Sequence, residues 1–269
     1  MNGSIAQLVA LTCHANAFIK NIDVGKFFPK NSTCKFCDYI KFVESNKTLF
    51  GINQKKQVAN NPNEWFGYLK NKSANGVLIF RSPQNNSRFS DRMSAGFVGG
   101  GGTWVMEVVY PMSSEFWIAR WDVWNQDAPE QRIWRVVYGL AKRGKTSQLN
   151  DNLIEKEQEL IESLKEIKEF SEEQNCGGFT ECFKKGLEAL GRGVKKGYHQ
   201  DLSPKGLLLE KAELMLDACQ SAWVFGGMGS WNDMGFDGDA QKTYERVSDR
   251  LFNAVTESIV AGTNTSFKI

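Results

Sequence analysis

The sequence predicts an α+β fold in which an antiparallel sheet from the N-terminal half packs on a helical layer from the C-terminal half. Three observations carry this. Residues 104–140 alternate apolar and polar side chains with a period of two in successive runs. Beyond Lys142-Arg143-Gly144-Lys145, leucines and isoleucines take helical spacing among many Glu and Lys residues. The order is strands first and helices later, whereas a doubly wound sheet would alternate them. The change of texture divides the chain into 1–145 and 146–269, either two domains or two layers of one compact domain.

Ile5, Leu8, Val9, Leu11, Ala15, Phe18 and Ile19 cover more than one face of a first helix, which is therefore expected inside the protein. Tyr39-Ile40-Lys41-Phe42-Val43 reads as a strand after the polar turn Asn31-Ser32-Thr33. A short helix over Trp65 to Leu69 precedes a strand, Val77-Leu78-Ile79-Phe80, closed by Ser82-Pro83. Trp104, Met106, Val108 and Tyr110 then share one strand face, while Val105, Glu107 and Val109 share the other. Phe116 to Trp124 and Arg132 to Leu140 continue the pattern, giving an antiparallel meander over about 104–140.

Helices follow. One starts near Leu153 and ends near Cys176-Gly177-Gly178, and a second runs from Phe179 to Leu190 with Gly191 as its stop. Ser203-Pro204 reads as an N-cap and N1 proline opening a third, through Leu214 and Cys219. A last helix from near Asp239 carries Tyr244, Val247, Leu251, Val255 and Ile259 on one stripe.

Of 269 residues, 41% are hydrophobic and 24% charged, an ordinary globular composition. The net charge of +2 hides an asymmetry. Residues 1–147 hold 19 basic and 10 acidic groups, and 148–269 hold 14 and 21. Such halves suit docking on each other or an anionic ligand on the basic one. No window of ~20 uninterrupted apolar residues is present to span a membrane. The stretch Ile5 to Phe18 with Ala15 and Ala17 has the look of a cleavable signal, but its first basic residue, Lys20, follows it, so a buried helix is the better account. Six cysteines without a paired framework read as reduced thiols of a cytoplasmic protein, where the sequons at Asn31, Asn46, Asn71 and Asn264 are idle.

The strongest site candidate is the run Gly99, Gly100, Gly101, Gly102 leading into Trp104, with Asp91 and Arg92 upstream. Peptide N–H groups without Cβ cover can cradle an anion, so these residues are expected to bind a small polar or anionic ligand. The run leads into a strand and not a helix, so its match to a nucleotide phosphate loop is weak. His199 with Asp201 is the acid–base candidate, should the protein be an enzyme. Cys34 and Cys37, with Cys13 or His14, form half a zinc site, and buried thiols without zinc are the favoured account. Trp223 to Asp239 is a second glycine and aromatic concentration, read as an interhelical connection. The rival to a ligand site is a non-enzymatic module binding a protein or nucleic acid through Trp117, Trp121 and Trp124, with Arg120 and Arg132, on the sheet.

Overall fold

A computed structural model describes residues 1–47, 53–84, 90–147, 152–192 and 197–268. Helix α1 (Gly3–Ile19) comes first, capped by the Asn2 side chain, which accepts from the Ile5 amide. The hairpin β1 (Cys37–Lys47) and β2 (Asn53–Ala59) follows. Helix α2 (Pro62–Asn71) is opened by an Asn61 cap with proline at N1. Then come β3 (Gly76–Ser82), the single turn α3 (Asp91–Ser94), β4 (Thr103–Val109), β5 (Ser114–Val123) and β6 (Trp134–Gly144). Four longer helices complete the chain: α4 (Leu153–Glu173), α5 (Gly177–Arg192), α6 (Glu210–Ser221) and α7 (Gly238–Lys268).

The strands form one six-stranded sheet in the order β2-β1-β6-β5-β4-β3. The meander β4-β5-β6 is antiparallel, with Met106 opposite Trp117 and Ala119 opposite Tyr138. The sheet as a whole is mixed, which corrects the purely antiparallel expectation: β1 pairs parallel to β6. After the β1-β2 hairpin the chain crosses to the far edge, lays down β3 and meanders back, so that β6 arrives beside β1 running the same way. Side-chain alternation has the same period whichever way a neighbour runs, so it carried no trace of this.

Period two sorts the sheet into faces. Ile40, Phe42, Ile79, Met106, Trp117 and Tyr138 are at most 1% exposed and meet α1 and α2. Phe42 is stacked between Trp65 of α2 at 4.4 Å and Tyr138 of β6 at 5.2 Å. Every residue of α1 from Ile5 to Ala17 is buried, including Gln7, Thr12 and Asn16.

Two buried asparagines, one on α1 and one on α7, satisfy their side chains by closing the sheet edge. Asn16 of α1 accepts from the Val77 amide (2.6 Å) and donates to its carbonyl (2.8 Å). Asn264 of α7 does the same to Ile79, at 2.8 and 2.9 Å. Each side-chain amide stands in for one peptide of a missing seventh strand. The sequons at Asn31 and Asn264 are thereby committed to the interior, at 5% and 2% exposure.

The helices of the second half join through α7, which packs on α1, β3, α4 and α6. Arg250 of α7 reaches Glu159, Glu162 and Glu166 of α4 at 2.9, 3.1 and 2.8 Å. The α6 helix begins at Glu210 and not at Pro204. Gly206 takes φ +77° and the buried Leu207 and Leu208 follow it, so tertiary burial of the turn overrides the local Ser-Pro signal. Among the described residues, no helix is long and apolar enough to cross a membrane.

Candidate functional site

Two glycine-rich loops lie back to back beside the sheet. The first, Ala95 to Gly102, follows α3, whose Ser90 cap accepts from the Met93 amide. The second, residues 223–230, follows α6. A Cβ on Gly96 would sit 2.1 Å from the Gly226 carbonyl oxygen, so the two main chains touch where only glycine fits.

Arg92 fastens the pair. Its guanidinium is 6% exposed and meets Asp249 of α7 at 2.6 Å and Asn232 at 3.2 Å, while the Asn232 amide donates to the Arg92 carbonyl at 2.9 Å. Asp91 pairs with Arg81 at 3.4 Å and accepts from the Gln84 amide. Both sequence-predicted charges are thus engaged by the protein. Within the loop, the Gly100 amide donates to the Phe97 carbonyl and the Gly101 amide to Ser94 Oγ, each at 3.0 Å.

The loops close around a cavity of about 450 Å³. Its walls are Trp121 of β5, Trp134 of β6, Trp223 and Phe225 from the second loop, and Phe97 and Val98 from the first; Asn2 and Ser4 at the start of α1 form one end. Trp121 and Trp134 meet edge to face at 5.9 Å. Trp223 and Phe225 are braced by Phe252 of α7 at 6.2 and 5.2 Å. A second cavity of about 220 Å³ lies along the same loop, lined by Gly99, Gly100, Gly102, Trp104, Ile118 and Tyr138. Ser4 and Trp121 belong to both walls. Lys, Arg, Asp and Glu are absent from the described residues lining either cavity.

Of the sequence-predicted ligand residues, Gly99, Gly100, Gly102 and Trp104 line the second cavity. Gly101 is buried, and Asp91 and Arg92 line neither. The indole groups of Trp134 and Trp223 come to this site from distant segments. The signal for Trp223 was its place in the second glycine and aromatic concentration, which local reading assigned to a connection.

His199 and Asp201 do meet, through Ser32. Ser32 Oγ is 2.7 Å from His199 Nδ1 and hydrogen-bonds the Asp201 carboxylate, which also accepts from the Ser32 amide at 2.7 Å. The hydroxyl has one hydrogen and the carboxylate can only accept, so His199 Nδ1 donates to Ser32 and Nε2 is the unprotonated nitrogen. Serine stands between histidine and aspartate here, whereas a nucleophilic triad needs histidine in the middle. The adjoining hollow, lined by His199, Glu213, Asp217 and Gln220 among others, holds about 40 Å³, room for a few waters. The Asp201 carbonyl also accepts from Asn31 (2.8 Å) and lies 3.2 Å from His14 Nε2. His14 and Ser4 are ten residues apart on α1, so this cluster lies about 15 Å along the helix from the aromatic cavity.

Burial lowers the pKa values of both His14 and His199 from the ordinary 6.5. A histidine held neutral in the fold contributes stability fully present above the unfolded value and lost as pH falls below it. Melting temperature should therefore drop between pH 7 and 5. A His14→Gln, His199→Gln double variant should lose most of that slope, at most about 1.4 kcal/mol per pH unit for each histidine. A melting temperature that stays level over this range in the parent protein would contradict the assignment.

Cys34 and Cys37 are buried free thiols. Gln7 Nε2 donates to Cys37 Sγ at 3.4 Å, and burial pushes the Cys37 thiol up to about 11 and Cys13 to about 12. His14 is turned to Asp201, and no group of three or more potential metal ligands forms among the described residues. A further charge cluster joins α2 to the sheet: Glu44 and Glu115 share Lys72 (3.4 Å to each) and Arg143 (3.2 and 3.1 Å). Burial alone would raise Glu44, but the Tyr68 hydroxyl, Lys72 and Arg143 outweigh it and hold its carboxyl below the usual range. Each carboxylate is paired, which reads as a clasp between elements.

The chain matches no protein-family model, no curated protein and no solved structure.

Proposed function

We propose that the protein binds a small, uncharged and largely apolar ligand in the tryptophan-lined cavity behind the glycine-rich loop. The observation that carries this reading is the 450 Å³ cavity walled by Trp121, Trp134, Trp223 and Phe225, with no charged side chain among its described lining residues. A cavity of this size and lining suits a small organic molecule, and apolar burial at roughly 25 cal/mol per Å² supplies the driving force. The sequence alone suggested a polar or anionic ligand. Arg92 and Asp91 are spent on protein partners, so an anion entering here would shed its hydration without gaining a cation, and the neutral ligand is favoured. The lining offers no titratable side chain among the described residues, which supports binding rather than acid–base catalysis at this cavity.

The nucleic-acid alternative draws less support. Trp117 is fully buried. The Trp124 ring is covered by Arg135 at 4.2 Å, and Tyr39 is flanked by Lys41 and Arg135 at 4.4 and 5.3 Å, so the faces a base would stack on already carry intramolecular cations. The six free thiols support a cytoplasmic location.

The test is a titration of the full chain with N-phenyl-1-naphthylamine, an uncharged probe, beside its sulfonated analogue. The neutral probe should bind at least tenfold tighter, and Trp223→Ala should weaken it at least tenfold while Trp124→Ala leaves it unchanged. Equal affinity for the sulfonate, or indifference to Trp223→Ala, would overturn the reading.

A further inference from the structure

We infer that the natural ligand is an extended, flexible, neutral chain, of the class of long aliphatic alcohols, that threads from the larger cavity into the smaller one past Trp121. This rests on the binding function proposed above and specifies its substrate class. The two cavities adjoin: Ser4 and Trp121 contribute to both walls, and one strap of backbone runs along both. Ala95 to Val98 face the larger and Gly99, Gly100 and Gly102 the smaller. A ligand reaching from one to the other must pass the rigid indole of Trp121, which a planar fused-ring ligand cannot bend around and a chain of single bonds can.

The distribution of polar groups sets the chemistry of the ends. The smaller cavity carries Gln84 and Thr103, whose side chains are 3.4 Å apart, and the larger carries Asn2 and Ser230. Asn2 and Ser230 are bonded within the protein, so the neutral groups that match a hydroxyl are Gln84 and Thr103 at the smaller cavity, and no described lining residue offers a cation to a carboxylate. The remaining lining includes Trp121, Tyr138, Ile118, Leu8, Ala119 and Trp134, which reward methylenes.

The experiment measures binding of 1-alkanols from eight to sixteen carbons to the full chain by quenching of intrinsic tryptophan fluorescence. The corresponding fatty acids and N-phenyl-1-naphthylamine are run beside them. Affinity for alkanols should climb about fourfold per methylene through the series. Each fatty acid should bind at least tenfold more weakly than its alcohol. Ala119→Leu, which fills the smaller cavity, should flatten the climb for the longer alkanols. A climb that stops at the shortest alkanols in the unaltered protein, or fatty acids that match the alcohols, would overturn the extended neutral ligand while naphthylamine binding keeps the cavity function standing. If neither the naphthylamine nor any alkanol binds, the binding function itself falls. Should Ala119→Leu fail to fold, the chain-length series in the unaltered protein still decides.

Discussion

Replacing Asn264 with leucine should cost the fold about 3 kcal/mol. Leucine has the branching and heavy-atom count of asparagine with bulkier methyl ends, so no cavity forms; what is lost is a pair of hydrogen bonds. The Ile79 amide and carbonyl, on a residue 1% exposed, would both be left without the side-chain amide they now use at 2.8 and 2.9 Å. An orphaned buried backbone group costs roughly 1–3 kcal/mol, far more than the net worth of the bond it replaces. Asn264→Asp should be worse, since one carboxylate oxygen would face the Ile79 carbonyl and bring a buried charge. Asn16→Leu should have a similar effect at Val77 and also strip Ser266 of a donor at 2.8 Å. Because Val77 and Ile79 are neighbours on one edge, the double variant should depart from additivity. Urea unfolding reads all three: the midpoint should fall with the slope unchanged. A loss below about 1 kcal/mol for Asn264→Leu would mean that the edge of β3 finds other partners.

Gly96→Ala should damage both stability and ligand binding. The added carbon would stand 2.1 Å from the Gly226 oxygen and 2.7 Å from the Gly227 nitrogen, and both are backbone atoms that no rotamer change can clear. The two loops must part, at about 2–4 kcal/mol by the scale of overpacked and strained sites. They must part where Gly96 and Gly226 line the larger cavity, so affinity for N-phenyl-1-naphthylamine should fall at least tenfold. Gly99→Ala is the matched control. Nothing lies within 4 Å of its would-be carbon, and only its φ of +80° opposes a side chain, a cost of about 1 kcal/mol with binding retained. Binding by Gly96→Ala at the parental affinity would show that the loops do not shape the cavity.

These expectations mark how far local pattern reaches. The meander was legible because the inside and outside of a strand alternate within each run, as Trp104, Met106 and Val108 do without reference to any neighbour. The glycine run was legible as an unusual stretch, and it does border a hollow. Its partners were not. Arg92 looks free in sequence because Asp249 and Asn232 lie well over a hundred positions away. Ser32 gave no sign of bridging His199 to Asp201, since the bridge exists only once the chain folds its first turn against the connection before α6. The expected start of a helix at Pro204 failed for the same reason, a strong local signal overruled by burial of Leu207 and Leu208.

By itself the sequence determined the properties that depend on neighbours along the chain: strand faces, helix stripes, and the places where glycine frees the backbone. Tertiary structure alone decided the direction of β1 against β6, the closing of the β3 edge by two distant asparagines, and the polarity of the cavity. The physical reason is range. Periodicity is set by bond geometry over a few residues, whereas the character of a hollow is set by whichever side chains the folded chain gathers. Here it gathered indoles from β5, β6 and the loop after α6, while turning the nearby charges onto each other.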